Sequence, residues 1–367
     1  MGKVLLILVL AGTGVTALSR PWLGVVAGYL ISIMGPQFIW FWVFEGVRPF
    51  FWILIPAFIG WAFALASGRL RFSSLNRAVP IFFFLWWLAT AVSYLFGPYI
   101  DIANANPKPP FYPSETFLAM SIQFGFMFMA MCAITQVRHA RYLAYMMAFI
   151  VVYMTYWVND RYLSGLVYGR ASGPVDLAGN ALYKDENTFA MLFVLGAPFL
   201  FYLGLYSKRW YMRYGLWLVI PFTWHAIFLT GSRGGLLGVG VTMLVLALRL
   251  RKLGYGLLGL ALFGVAYAWQ AGGLMKSRAH QIAGYEEDYA ATSRLEAWEA
   301  AGNMVARHPL TGVGVGAFIQ AFPDHAEYHP RATHNTVLEI FAESGVMGGL
   351  AWLMIVTYLP VLSLWWR

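Results

Sequence analysis

The sequence predicts an all-α integral membrane protein, a polytopic helical bundle. Of its 367 residues, 60% are hydrophobic and only 11% are charged, where a soluble domain has roughly 45–50% and about 25%. The apolar residues gather in runs of about 15 to 25, the length that crosses a bilayer as a helix. Alternation over about 10 residues, the mark of outer-membrane strands, is absent, which argues against a β-barrel. The same composition excludes a soluble enzyme, a disordered chain, a coiled coil and a collagen.

Taken in order, the runs cover residues 4–18, 22–40, 50–66, 79–96, 115–134, 142–158, 188–206, 214–230, 235–248, 254–271 and 336–364. They give about eleven spans, within a range of roughly 10 to 12 once boundary uncertainty is counted. The first run has the charge and apolar stretch of a signal peptide, with Val15-Thr16-Ala17 resembling a cleavage site. A second apolar run follows at once from Pro21, so the first is read as a span.

Orientation follows from the connections. Segments Ser67 to Arg77, Thr135 to Arg141, Ser207 to Arg213 and Arg249 to Lys252 carry lysine and arginine and no acid. They are expected in the cytoplasm, with the acid-bearing loops on the periplasmic side of a bacterial inner membrane. Counting back from a cytoplasmic Arg367 puts the amino terminus outside, against Lys3, so the first two runs are either two spans or a re-entrant hairpin. The net charge of +9 punctuates the apolar runs instead of forming a basic face, so no nucleic-acid partner is expected, while membrane lipids are. Cys132 is the single cysteine and lies within an apolar run. No intrachain disulfide or thiolate metal site can form.

Three outer loops have room for a site: Gly97 to Ser114, Asn159 to Asn187, and Gly272 to Thr333. The last, of about 60 residues, is unlike the other connections, and long loops on a rigid scaffold carry function. Within it Ser293-Arg294-Leu295-Glu296 reads as a capping box. Leu295, Trp298, Ala301, Met304 and Val305 follow at helical spacing, predicting an amphipathic helix of about 14 residues ended by Pro309 and Gly312.

Candidate chemistry lies at four places. Thr230-Gly231-Ser232-Arg233-Gly234-Gly235 joins two spans, and an arginine at membrane depth either snorkels to headgroups or, with its glycines and the amides of the next helix, holds an anion. Arg294, in the first turn of the expected loop helix, is either a second anion ligand or a solvated side chain. His334 opens the final span, either as a general base near neutral pH or as an interfacial histidine. In the 170–187 loop, Arg170 or Lys184 either adds to an anion pocket or, like most of the run, belongs to a solvated loop. Asp324, His325, Glu327 and His329 resemble a metal cluster, but Pro323 and Pro330 leave little room for a helix that would align the rings, and no metal is expected. No Walker loop, dinucleotide fingerprint or nucleophile elbow is present.

These residues carry a resemblance. Leu229 to Gly235, Thr292-Ser293-Arg294-Leu295-Glu296-Ala297-Trp298, His308-Pro309-Leu310-Thr311-Gly312-Val313-Gly314-Val315-Gly316-Ala317-Phe318, His334-Asn335 and Glu343-Ser344-Gly345-Val346-Met347-Gly348-Gly349 resemble, in that order, the O-antigen ligase and polymerase superfamily. The likeness covers residues 225–355. Ser19-Arg20-Pro21-Trp22-Leu23-Gly24 and Gly173-Pro174 to Asn187 are similar to its branch of O-glycosylation ligases associated with exosortase systems.

The resemblance implies a GT-C-type membrane glycosyltransferase, with residues 1–367 forming a single transmembrane domain and 272–333 a periplasmic loop. Such an enzyme takes a glycan from undecaprenyl diphosphate and passes it to an acceptor hydroxyl at the periplasmic face, by inversion and without a metal or other cofactor. The acceptor is the lipid A core, another glycan or a protein; a glycan acceptor makes the enzyme a polymerase. By motif, Arg233 and Arg294 hold the donor diphosphate, Arg170 is a further candidate for it, and His334 accepts the acceptor proton or orients that hydroxyl. A transporter or flippase of lipid-linked glycans shares the composition, but its signature of matched broken halves is absent.

Overall fold

The computed structural model describes residues 2–44, 47–70, 78–106, 112–167, 169–251, 253–282 and 286–365, all-helical apart from connections and one isolated bridge between Val175 and Ala181. The helices are α1 (Gly2–Ser19), α2 (Pro21–Met34), α3 (Pro36–Ile39), α4 (Phe41–Phe44), α5 (Pro49–Ala66), α6 (Ala78–Phe96), α7 (Ile100–Ala105) and α8 (Pro113–Ala133). They continue with α9 (Val137–Leu163), α10 (Glu186–Leu205), α11 (Trp210–Thr230), α12 (Arg233–Arg249), α13 (Leu253–Ile282), α14 (Glu286–Arg307), α15 (Phe318–Ala321) and α16 (Thr336–Trp365).

Each expected span falls on a helix, and the protein is a helical membrane protein. Among the described residues six helices are long and apolar enough to cross a membrane: α5, α6, α8, α9, α10 and α16 through Tyr358. Shorter apolar stretches lie at Leu6–Ser19, Pro21–Met34 and Gly256–Gln270.

Three boundaries differ from expectation. The run 22–40 is broken at Gly35, whose φ of 62 caps α2, and Pro36 starts a new helix. Glycine takes the left-handed cap without strain and proline suits a first helical position. Helix α13 continues to Ile282, so the expected loop 272–333 begins as helix. Helix α14 is 22 residues long and starts at Glu286, which puts Ser293 inside the helix and not at its cap.

The chain forms two compact units, 1–70 with 133–277 and 71–132 with 278–367. In the first, Ile150, Met154, Phe189, Phe193, Leu200 and Ile227 are fully buried in one core shared by α9, α10 and α11. In the second, α14 packs on α16 through Ala297, Ala300, Ala301 and Met304, against Val313, Phe318, Phe322 and Ala342. The buried stripe is therefore rotated from the expected one: Leu295 is 60% exposed and Trp298 38%. Alanines allow the closer helix approach, so they, and not the larger side chains, face the neighbour.

Candidate active site

In the first unit the site is a helix reversal. Gly231, at φ 62, ends α11, and the Ser232 hydroxyl accepts the Gly235 amide at 3.0 Å to start α12. The same hydroxyl donates to Asn187 Oδ1 at 2.7 Å. Asn187 lies in the first turn of α10, whose cap is Asp185 accepting from the Thr188 amide at 2.9 Å. Two helix starts are thus tied side by side. Burial pushes the Asp185 carboxyl up, but its hydrogen bonds from Thr188 and Asn187 outweigh this and hold it below the usual range.

Arg233 is the first residue of α12 and is exposed. A cation is disfavoured there by the helix dipole, whereas an anion meets both the guanidinium and the amides of the helix start. Arg170 belongs to the same place. Its Nε donates to the Thr230 carbonyl at 2.9 Å, its Nη1 lies 3.5 Å from Glu186 Oε2, and the next amide, of Ala171, donates to Leu229 O at 2.9 Å. The structure therefore brings Arg170 onto the turn that carries Arg233, along with Asn187. Lys184 is exposed just before Asp185.

In the second unit His334 is exposed at φ 48, one of two described non-glycine residues in the left-handed region. Its neighbours hold it there. Thr333 is buried; its hydroxyl donates to Glu339 Oε2 at 3.2 Å, and its carbonyl accepts from Trp298 Nε1 at 3.0 Å. Asn335 Oδ1 accepts the Val337 and Leu338 amides at 3.1 and 3.3 Å, capping α16. Arg331 pairs with Glu296 at 2.9 Å. Arg294 lies one turn before Trp298 on the same face of α14, and Trp298 bonds the residue that precedes His334.

The glycine motifs meet further along α16. Gly345, at φ 70, breaks α16. The Val346 amide then donates to Pro309 O at 2.8 Å, and the Ala342 carbonyl it would have met in an unbroken helix accepts from Val313 N at 2.9 Å. Gly312 must be glycine, since a Cβ would lie 2.3 Å from the Glu343 carbonyl carbon and oxygen.

The Asp324 to His329 run has other partners. Tyr99 donates to Asp324 Oδ2 at 2.9 Å, and the buried His325 ring bonds the Ala321 carbonyl at 2.8 Å. Among the described residues no group of three metal-binding side chains is close enough to hold an ion. Asn187, Trp298 and Thr333 were not singled out by sequence as parts of the site, whereas Glu339 is the second candidate for the base. Their partners lie 45, 35 and 6 positions away, and no local pattern reports the first two pairings.

Residues 218–353 match the family model described as O-antigen ligase. No curated protein and no solved structure matches the chain significantly.

Proposed function

We infer the activity from one premise: the chain carries an O-antigen ligase domain at residues 218–353 and so falls in the O-antigen ligase superfamily. It is a membrane glycosyltransferase of the GT-C type with about eleven spans, its basic connections in the cytoplasm and its site at the periplasmic face of a bacterial inner membrane. The donor is a glycan on undecaprenyl diphosphate. The acceptor is a hydroxyl of the lipid A core, of another glycan or of a protein, the last being the acceptor class that the exosortase-associated branch suggests.

The observation that carries this reading is Arg233 at the start of α12, with Arg170 on the same turn. A departing diphosphate gains charge in the transition state, and guanidinium forks with helix-start amides are suited to take it up. By motif, Arg233 and Arg294 are assigned to the donor diphosphate, with Arg170 as a further candidate. The exposed His334 imidazole accepts the acceptor proton as the hydroxyl oxygen bonds the anomeric carbon and the bond to the phosphate oxygen breaks, with inversion. No metal is assigned a part.

The test uses purified protein. His334→Ala should still bind undecaprenyl-diphosphate glycan while transfer falls on the order of a hundredfold to ten-thousandfold. Arg233→Ala should weaken binding as well, and a chelator should change neither step. Transfer at the parental rate by His334→Ala would overturn the assignment of the base.

A further inference from the structure

The first unit contains a second feature that the transfer reaction does not use. An apolar cleft of about 530 Å³ lies between α10, α11, α12 and α13, walled by Phe201, Leu205, Trp217, Trp224, Leu246 and Leu250 among others. Its size is that of a small-molecule site. It reaches the last residue of α10 at Leu205 and passes the end of α12 at Leu250, and on α12 its wall residue nearest Arg233 is Val239. At 1.5 Å per residue it stops about 9 Å short of Arg233. The cleft therefore extends toward the α10–α11 and α12–α13 turns and away from Arg233.

Those turns are basic. Arg209 and Arg251 lie in them, Arg213 follows in the first turn of α11, and neither turn contains an acid. Arg213 stands at the rim itself. Its Nη2 donates to the carbonyls of Leu205 and Ser207 at 3.5 and 3.0 Å, and Trp217, one turn along α11, lines the cleft. Its Nε is buried and makes no hydrogen bond among the described residues. A buried donor without an acceptor costs free energy, and a guanidinium satisfies it best with an anionic oxygen.

We propose that this cleft binds one acyl chain of an anionic glycerophospholipid, with the lipid phosphate on Arg213 and Arg209 and Arg251 beside it. Hydrocarbon walls inside a membrane-spanning unit call for a chain, and the cationic rim calls for an anionic head on that chain. The glycan donor is assigned its charge at Arg233, beyond the opposite end, so this inference does not depend on the proposed transfer reaction. Space on α13 is part of the site: a Cβ at Gly259 would meet only Met243 Sδ, at 3.9 Å.

The test is a thermal-unfolding titration of the delipidated full chain in neutral detergent, with phosphatidylglycerol and phosphatidylcholine of identical chains. Phosphatidylglycerol should stabilise saturably, as a ligand of the folded state does, and phosphatidylcholine should not. Arg213→Gln should weaken the phosphatidylglycerol midpoint about fivefold, as should Arg251→Gln, which leaves the α10 end intact. Gly259→Phe should fill the cleft and abolish the effect while unfolding remains cooperative. Equal response to both lipids, or full phosphatidylglycerol binding by Gly259→Phe, would overturn the site. Displacement of phosphatidylglycerol by undecaprenyl phosphate at equal concentration would give the cleft to the donor chain and overturn it too.

Discussion

Arg170 Nε donates to the Thr230 carbonyl at 2.9 Å, so a side chain 60 positions away closes the last turn of α11 just before Arg233. Its ion pair with Glu186, at 3.5 Å and about one-third exposed on each side, contributes little by comparison. Arg170→Lys loses the planar fork that serves Thr230 and an anion together. It should lower both the unfolding midpoint and the transfer rate, while Glu186→Gln should leave both nearly unchanged. Equal behaviour of the two variants would reduce Arg170 to a surface ion pair.

Ser232 and Asn187 should be energetically coupled. Ser232→Ala removes a helix cap worth about 1 kcal/mol and leaves Asn187 Oδ1 without its donor. Asn187→Ala removes only the second bond. In a double-mutant cycle on unfolding free energy the pair should show coupling of about 0.5 kcal/mol or more. Strict additivity would mean that the 2.7 Å contact holds nothing together.

The helices were legible in the sequence because apolar runs of spanning length leave the backbone no other way to satisfy its hydrogen bonds. What the sequence did not show were the exchanges between segments. A glycine at 345 read as a motif letter; only the structure shows the Val346 amide leaving its helix for Pro309 and Val313 replacing it at Ala342. The bond from Trp298 to Thr333, 35 positions away, was likewise not readable from spacing. The stripe on α14 was misread because spacing marks several possible faces, and the choice fell to alanines small enough for α16 to approach. The roles of Arg233, Arg294 and His334 still rest on motif and chemistry together.

Arginine forks and lysine point charges separate the donor ligands from headgroup contacts. If Arg233 and Arg294 bind a diphosphate, each lysine variant should raise the donor concentration needed for half-maximal transfer by about tenfold or more, since a bidentate site is not replaced by an ammonium. Expression and unfolding midpoint should be unchanged, both side chains being exposed. Full activity of both lysine variants would leave them at the membrane surface.

The proposed orientation can be checked with thiols. In a Cys132→Ala background, Glu299→Cys on α14 should react with a membrane-impermeant reagent once the outer membrane is permeabilised. Lys208→Cys, in a basic connection, should react only after the inner membrane is opened. Both positions are exposed in their units. The reverse pattern would put the basic connections outside and remove the periplasmic assignment of the site.

The second unit should weaken in mild acid, and His308 supplies the reason. Its ring lies at the end of α14, 5.5 Å from the His325 ring and 6.0 Å from that of Tyr99. Burial, then the His325 ring, then the Arg307 charge hold its pKa below the ordinary 6.5. The unfolded chain therefore takes up this proton before the folded one does. The stabilisation is complete above pH 6.5, where both states are neutral, and is lost as pH falls below it, with a slope of at most about 1.4 kcal/mol per pH unit for one proton. Tyr99 does not interfere: burial, followed by its hydrogen bond to Asp324 and that carboxylate's charge, pushes its hydroxyl up to about 12. The contribution of His308 to the unfolding midpoint should thus be level above pH 6.5 and decline from about pH 6.5 to 5.5. His308→Gln, which cannot take up the proton, should show a shallower decline over the same interval. An identical decline in the two proteins would assign the acid sensitivity to another group.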